Sequence, residues 1–425
     1  MQIFDNYKQI LLSELVPALG CTEPIAIALS CAKANELLQA PPTSVDIYCS
    51  GNIIKNVKAV VVPNSGGLKG IEIAAALGII GGDPSKMLQV LESVLPTHIE
   101  EALAMVQQGK IKVHLVENEE NLYLKAILKN DTDTAIVEIK YDHTRFNLIQ
   151  KNDTIIYSAN IVSTDDEKVD TSTLKVKNII EFAQEINLTA PENQDLVQVL
   201  DLQIKYNSQI AQEGLTNKYG AEVGKTILMG ENANSIESLA VATAAAGSDA
   251  RMGGCSYPVV INSGSGNQGM TVSLPVIEYA KHLNAPLDKL HRALILSNLL
   301  AIHQKRFIGK LSAFCGVVSA SAAAGSGIAY LLGFDKEQIS MVITNTLATS
   351  GGMVCDGAKP SCASKIAVSL KSALMAVNMS KYNRCFVHGD GLVGKEVEET
   401  IENIGRMARL GMKSTDIEIL RIMLK

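Results

Sequence analysis

Apolar residues recur at helical spacing at the start of the chain. Phe4, Tyr7, Leu11 and Leu15 share one face and predict an amphipathic helix over residues 4–16, ending near Pro17. Thr22-Glu23-Pro24 opens a second helix that runs to about Leu38. Thr suits the N-cap, Pro the first turn, and Glu the positive end of the helix dipole. Pro41-Pro42 then breaks the pattern. Beyond it, Val45-Asp-Ile-Tyr and Ala59-Val-Val-Val read as strands, and residues 70–80 and 86–94 as helices. Between Lys112 and Tyr157 the pattern is strand-like, in runs beginning at Val113, Leu122, Ala135 and Thr154, separated by polar breaks such as Asn130-Asp-Thr-Asp. From Leu174 onward strand signals nearly vanish. Helices are expected at 174–187, 195–213, 233–246, 286–302, 311–333, 336–349, 363–379, 395–410 and 415–424. The fold class is therefore α+β: a large, mostly helical domain from residues 1–40 and 166–425, with a smaller α+β domain, residues 41–165, inserted after the second helix.

Composition narrows the function. The chain has 425 residues, 47% of them hydrophobic and only 19% charged, so it can bury a large core. Aromatics make up 4% and Trp is absent, which leaves Ala, Ile, Leu, Val and Gly to build that core by close helix packing. The net charge of −6, with no basic run, argues against nucleic acid and for a small-molecule partner. The first residues lack the basic and apolar regions of a signal peptide, so a cytoplasmic location is expected, where cysteines serve as ligands or catalysts more often than as disulfides. No charge occurs between Lys310 and Asp335. That length could span a membrane, but the run is rich in Ser, Ala and Gly, and a helix buried in a large soluble protein fits it better. Helical faces of small residues also permit a homodimer.

Against this background three thiols stand out: Cys315, and the pair in Cys355-Asp-Gly-Ala-Lys-Pro-Ser-Cys362. Gly351-Gly352 and Asp356-Gly357 put Cys355 on an irregular loop, and Cys362 begins the next helix. Thiolates suit iron–sulfur clusters, zinc or copper(I), and three ligands would leave one position open, as in catalytic sites. The spacing alone does not separate metal ligands from buried cysteines. Cys21 immediately precedes a helix start, where the dipole is expected to lower a thiol pKa, so base, nucleophile or ligand are all open to it. Residues 262–269, Asn-Ser-Gly-Ser-Gly-Asn-Gln-Gly, contain a formal G-x-G-x-x-G, but Asp288, at the spacing of a ribose-binding acid, opens a helix instead of ending a strand. A loop gripping a small carboxylate is the better reading, with Arg251 as a bidentate cation and Asn262, Ser263, Ser265, Asn267 and Gln268 as donors. Asn52 and Asn56 lie in a second polar, glycine-punctuated patch. His143, at the end of a strand, reads as structural.

At these residues the chain resembles the L-cysteine desulfidase family, relatives of the iron–sulfur L-serine dehydratases of the alpha-chain type. The matching runs are Pro17-Ala-Leu-Gly-Cys-Thr-Glu-Pro24, residues 52–56, 66–77, Ser248-Asp-Ala-Arg-Met-Gly-Gly254, 262–269, Leu311-Ser-Ala-Phe-Cys315, and Met353-Val-Cys-Asp-Gly357 through Cys362. They follow one another in order over nearly the whole chain. The resemblance implies a [4Fe–4S] cluster on Cys315, Cys355 and Cys362, with one iron free of those ligands. Serine dehydratases space the last two cysteines farther apart and carry Ser-His-Thr where this chain has Cys21-Thr22-Glu23, which favours the desulfidase branch. One local departure is Arg145 after His143-Thr144, where relatives often have Asn.

The function implied is β-elimination of L-cysteine to sulfide, pyruvate and ammonia, independent of pyridoxal phosphate. The open iron would act as Lewis acid on the substrate sulfur. Cys21 would take the Cα proton, or occupy the fourth iron position at rest. Arg251, Asn262, Ser263, Ser265, Asn267 and Gln268 would hold the carboxylate and amine, with Asn52 and Asn56 as weaker candidates. The competing readings are an iron–sulfur L-serine dehydratase and a non-catalytic metal-binding protein.

Overall fold

The computed structural model describes residues 2–38, 40–159 and 169–424. In chain order the elements begin with α1 (Gln2–Glu14), β1 (Pro17–Leu19), α2 (Thr22–Leu37), β2 (Ser44–Ser50), α3 (Gly51–Val57), α4 (Ile71–Gly81) and α5 (Pro96–Gln107). Five strands follow: β3 (Ile111–Val116), β4 (Tyr123–Lys129), β5 (Thr134–Lys140), β6 (Phe146–Lys151) and β7 (Thr154–Ser158). The helical part comprises α6 (Val176–Glu185), α7 (Gln194–Thr216), α8 (Val223–Ile227), α9 (Ile236–Met252), a short β8 (Pro258–Val260), α10 (Gly266–His282), α11 (Leu287–Ile308), α12 (Val317–Leu331), α13 (Lys336–Ser350), α14 (Cys362–Lys381), α15 (Val397–Arg406) and α16 (Lys413–Leu424). The α+β class expected from the pattern is the class observed.

Six strands form one mixed sheet in the order β3-β2-β4-β5-β6-β7. Only β2 and β3 run parallel, in register Val45 to Ile111, which requires the crossover through α3, α4 and α5. The helix α2, buried on all sides over its first ten residues, lies between α4 and the sheet strands β4 and β5. It approaches α4 so closely that a Cβ at Gly78 would stand 2.3 Å from the Ala28 carbonyl oxygen. The sequence reading grouped this helix with the helical part. In the fold it packs on the α+β part, and one continuous hydrophobic core joins the two. The proposed boundary at 165/166 lies outside the described residues.

Several local expectations change. Residues 59–62 make a turn and a single bridge, Val61 to Lys69, instead of a strand. Residues 86–94 form a short 3-10 helix, Pro84–Gln89, and turns. The pattern also missed β1, α3, α5, β6, α8 and α10. The uncharged run shortens to α12, which is buried between α10, α11, α13 and α14. Among the described residues no helix is long and apolar enough to cross a membrane.

A two-strand ribbon matters most for function. β1 pairs antiparallel with β8, Pro17 opposite Val260. It ties the start of α2 to the start of α10, although 242 positions separate Thr22 from Gly264. There the Thr22 hydroxyl donates to the Gly264 carbonyl at 2.9 Å.

Candidate active site

Four helices aim their N-termini at one pocket. Cys21 is the residue before α2, Ser265 caps α10, Cys315 and Gly316 precede α12, and Cys362 is the first residue of α14. All four sites line a single cavity, together with Glu23, Asn56, His143, Arg251, Asn267, Gln268, Lys305, Lys310 and Cys355. Each helix start offers unpaired N–H groups and a partial positive charge. The cations Lys55, Arg251 and Lys305, each at most 5% exposed, add to this field. The pocket is built for anions.

The three thiols are brought together by backbone. Phe314 and Val354 form an isolated antiparallel bridge, closed by Cys315 N–H to Met353 C=O at 2.9 Å and Cys355 N–H to Ala313 C=O at 2.7 Å. Alternation then places Cys315 and Cys355 diagonally on the same face. Cys355 is drawn below the ordinary thiol range by its neighbour Cys315 and by Lys55 and Lys305, against the opposing effect of burial. Cys315 is raised correspondingly. Burial raises Cys362. Gly357, at φ +94°, lets the loop lie against α3: a Cβ there would meet the Lys55 carbonyl oxygen at 2.5 Å.

Among the described residues no three His, Cys, Asp or Glu side chains converge on a single metal ion. A cubane cluster makes a different demand, because each thiolate binds its own iron and the sulfurs need not share one centre. Soft, buried donors with lysines beside them match the donor set and net negative charge of such a group.

Cys21 lines the same pocket, in a small apolar cluster with Val60 and Met252 on which Cys362 packs. The Cys21 thiol donates to Glu23 Oε2 at 2.8 Å, while Asn56 Nδ2 donates to Glu23 Oε1 at 2.9 Å. The expectation of a lowered Cys21 pKa is corrected. Burial, and next the Glu23 carboxylate, push it well up. A helix N-terminus is worth at most ~2 kcal/mol to a charge, too little to oppose full burial beside a carboxylate. Burial also works against charge on Glu23, but His143 and the Cys21 thiol outweigh it and bring Glu23 to about 2. His143 Nε2 stands 3.7 Å from Glu23 Oε1, an ion-pair distance rather than a hydrogen bond. The ring is 2% exposed and both nitrogens lack partners among the described residues.

The amide-rich segment is half loop, half helix. Arg251 lies in the last turn of α9, not on a loop, and Asn267 and Gln268 lie in the first turn of α10. Arg251 Nε, Asn267 Oδ1 and Gln268 Oε1 are buried without partners among the described residues. Two glycines make room for them. A Cβ at Gly266 would sit 2.4 Å from Arg251 Nε, and one at Gly316 would sit 2.6 Å from the Gln268 amide carbon.

Of the eight side chains expected to hold substrate, Arg251, Ser265, Asn267, Gln268 and Asn56 line the pocket. Asn262, Ser263 and Asn52 do not. Asn262 Nδ2 donates instead to Asn298 Oδ1 at 3.0 Å, and the Ser263 hydroxyl to Asn262 Oδ1 at 2.9 Å, so both brace the loop from behind. Asn52 donates to Asp416 at 2.6 Å. Sequence reasoning missed Lys55, Lys305 and Lys310 and dismissed His143. The Asp142-His-Thr144 turn at a strand end was the available signal for His143. Nothing marks Lys305 within His303-Gln-Lys-Arg306.

Lys305 gives a test of how the pocket trades stability for charge. Burial lowers it to about 8, only partly opposed by Cys355 and Cys315. A lysine depressed below its unfolded value destabilises the fold at neutral pH, and that cost fades as pH rises from about 8 toward 10.5. Lys305→Met should therefore stabilise the metal-free chain at pH 7 by about 1–4 kcal/mol and flatten its gain in melting temperature between pH 8 and 10. A lower melting temperature at pH 7 would refute this.

The α+β frame thus gathers thiols, cations, helix N-termini and three glycines, Gly264, Gly316 and Gly357, around one pocket. Residues 85–421 match the family described as serine dehydratase alpha chain. Similarity extends over 99% of the chain to proteins named UPF0597 protein. The one from Finegoldia magna is 48% identical over 99% of its length, that from Lachnoclostridium phytofermentans 48% over 100%, and that from Treponema denticola 44% over 98%. The chain belongs to the serine dehydratase alpha-chain family.

Proposed function

We propose that this protein is a cytoplasmic L-cysteine desulfidase, eliminating sulfide from L-cysteine without pyridoxal phosphate. The observation that carries the reading is the one pocket whose lining brings Cys21 together with Cys315, Cys355, Cys362, Arg251 and Gln268. Cys315, Cys355 and Cys362 would hold a [4Fe–4S] cluster, which when bound supplies a Lewis acid for the substrate's sulfur through the iron lacking a protein thiolate.

The remaining work falls to side chains. Arg251 and the N-terminus of α10 bind the carboxylate, with the unpartnered Asn267 and Gln268 oxygens accepting from the ammonium group. Cys21 starts as a thiol, so the base must be generated. Its proton passes along the 2.8 Å bond to Glu23 and, once the 3.7 Å gap to His143 closes to hydrogen-bond distance, on to the imidazole, leaving a thiolate and an imidazolium paired with Glu23. The thiolate takes the Cα proton as the C–S bond breaks. His143 returns its proton to the departing hydrosulfide, which leaves as hydrogen sulfide. The aminoacrylate takes up water to give pyruvate and ammonia, and Cys21 and His143 end as they began.

Family membership favours L-serine as the alternative substrate. Hydroxide is the harder leaving group and demands stronger acid assistance. Anaerobically reconstituted protein, assayed side by side, should release sulfide and pyruvate from L-cysteine with the larger kcat/KM. Faster pyruvate release from L-serine would transfer the assignment to dehydration, and no product from either would leave a binding protein.

A further inference from the structure

The catalytic pocket is narrow, about 90 Å³, and most of its working side chains are buried, with Cys355 and Cys362 half-buried. A soluble amino acid needs a way in. A second cavity of about 510 Å³ adjoins it and shares the wall Lys310, Leu311 and Ser312. One side of this cavity is the loop at 119–122, from the α+β part. The other is the C-terminal segment, where Met407–Gly411 forms a π-helical turn that leads into α16. Such turns widen the backbone and recur at functional sites.

The shared wall is made by the non-helical stretch between α11 and α12. Its first residues are held twice. Asn121 Nδ2 donates to the Leu311 carbonyl at 3.0 Å. Lys310 is gripped by Asp142 at 2.7 Å and Glu14 at 3.1 Å, and these carboxylates hold it well above the usual lysine range against the opposing effect of burial. Lys310 is thus a permanent cation, already neutralised, and Leu311 is the half-buried apolar side chain between the two cavities. Charges around the outer cavity, Glu119 and Glu120 against Arg409 and Lys413, are of both signs and exposed, so solvent and salt screen them. Shape rather than charge does the sorting.

We propose that the outer cavity is the antechamber through which substrate enters, and that Leu311 is the constriction that admits a free zwitterionic amino acid while excluding a thiol-bearing peptide. The passage itself rests on geometry alone; the identity of what travels through it rests on the function proposed above.

Two kinds of variant test it on the full chain. Glu120→Trp and Leu410→Trp each place bulk in the lining of the antechamber and change no residue that lines the catalytic pocket. Leu410 is 60% exposed, so its replacement does not disturb the core. Either should slow alkylation of Cys355 and Cys362 by iodoacetamide about tenfold, equivalent to roughly 1.4 kcal/mol on the barrier, with an unchanged melting temperature. Leu311→Ala should do the reverse for a bulky reagent, N-phenylmaleimide, speeding its reaction with the same two thiols. In the reconstituted enzyme the Trp variants should lower kcat/KM for L-cysteine by a similar factor and spare kcat at saturation. Leu311→Ala should give measurable sulfide release from a cysteine-containing dipeptide. Unchanged alkylation in all three variants would overturn the antechamber. Altered alkylation in a protein that releases no sulfide would keep the passage and overturn only the desulfidase assignment.

Discussion

Cys21→Ala should lower the turnover of L-cysteine by about 10²–10⁴-fold, the usual worth of a positioned acid–base group, while leaving the visible absorbance of the reconstituted protein unchanged. The separation of effects follows from place. Cys21 sits at the start of α2, outside the bridge that pairs Cys315 with Cys355. Its removal leaves the Cys315–Cys355 bridge and the cations beside it in place, and takes only one sulfur from the small apolar cluster on which Cys362 packs. The substitution deletes a donor to Glu23, whose other oxygen still accepts from Asn56 at 2.9 Å, so the fold should survive. Glu23→Gln should be nearly as damaging, because a neutral amide can neither relay the Cys21 proton nor hold an imidazolium at His143. Single-turnover sulfide release, measured beside the absorbance spectrum, decides the matter. Activity retained in Cys21→Ala would exclude it as the base, and a bleached spectrum would make it a ligand instead.

The expected helix-dipole activation of Cys21 shows where sequence stops being enough. Gly-Cys-Thr-Glu-Pro correctly marks a helix start, and the dipole is there. The deciding quantities are burial to 2% and a carboxylate two residues on that turns back toward the thiol; the carboxylate is visible in the sequence, but its turn and the burial are set by the fold. The same holds for the substrate wall. Arg251, Ser265, Asn267 and Gln268 were legible because a run of donors and glycines has few uncharged explanations. Which members face the cavity was not, since Asn262 is captured by Asn298 of α11, 36 positions away. His143 looked isolated because its partner, Glu23, lies 120 positions back. Elements followed the same rule. Long periodic helices such as α13 and α14 were readable to within a residue or two, whereas α3, a seven-residue helix with three polar residues facing buried partners, had no apolar stripe to reveal it. Its polar side chains face inward because the site is there.

That helix supports the prediction with the largest effect on stability. Asp416→Ala should destabilise the protein by about 3 kcal/mol, toward the low end for breaking a buried ion pair. The partners are unequally buried: the Lys55 side chain is 1% exposed and Asp416 14%, with Nζ and Oδ1 2.5 Å apart. Truncation at 416 leaves Lys55 charged in the interior with only the Cys355 carbonyl, at 3.5 Å, within reach. It also strands Asn52, which gives its amide to the same carboxylate. Because α3 also carries Asn56 to Glu23 and lies under the Gly357 turn, a shift of α3 would disturb both the base and the cluster loop. Asp416→Ala should therefore lose cluster content along with stability. Lys55→Met combined with Asp416→Leu replaces the pair with apolar surface, and should recover most of the melting temperature. It should not recover the cluster, because the cation beside Cys355 is gone. If the double variant regained full cluster content, α3 would matter only as packing. If Asp416→Ala melted like the parent, the pair would be a surface contact of little consequence.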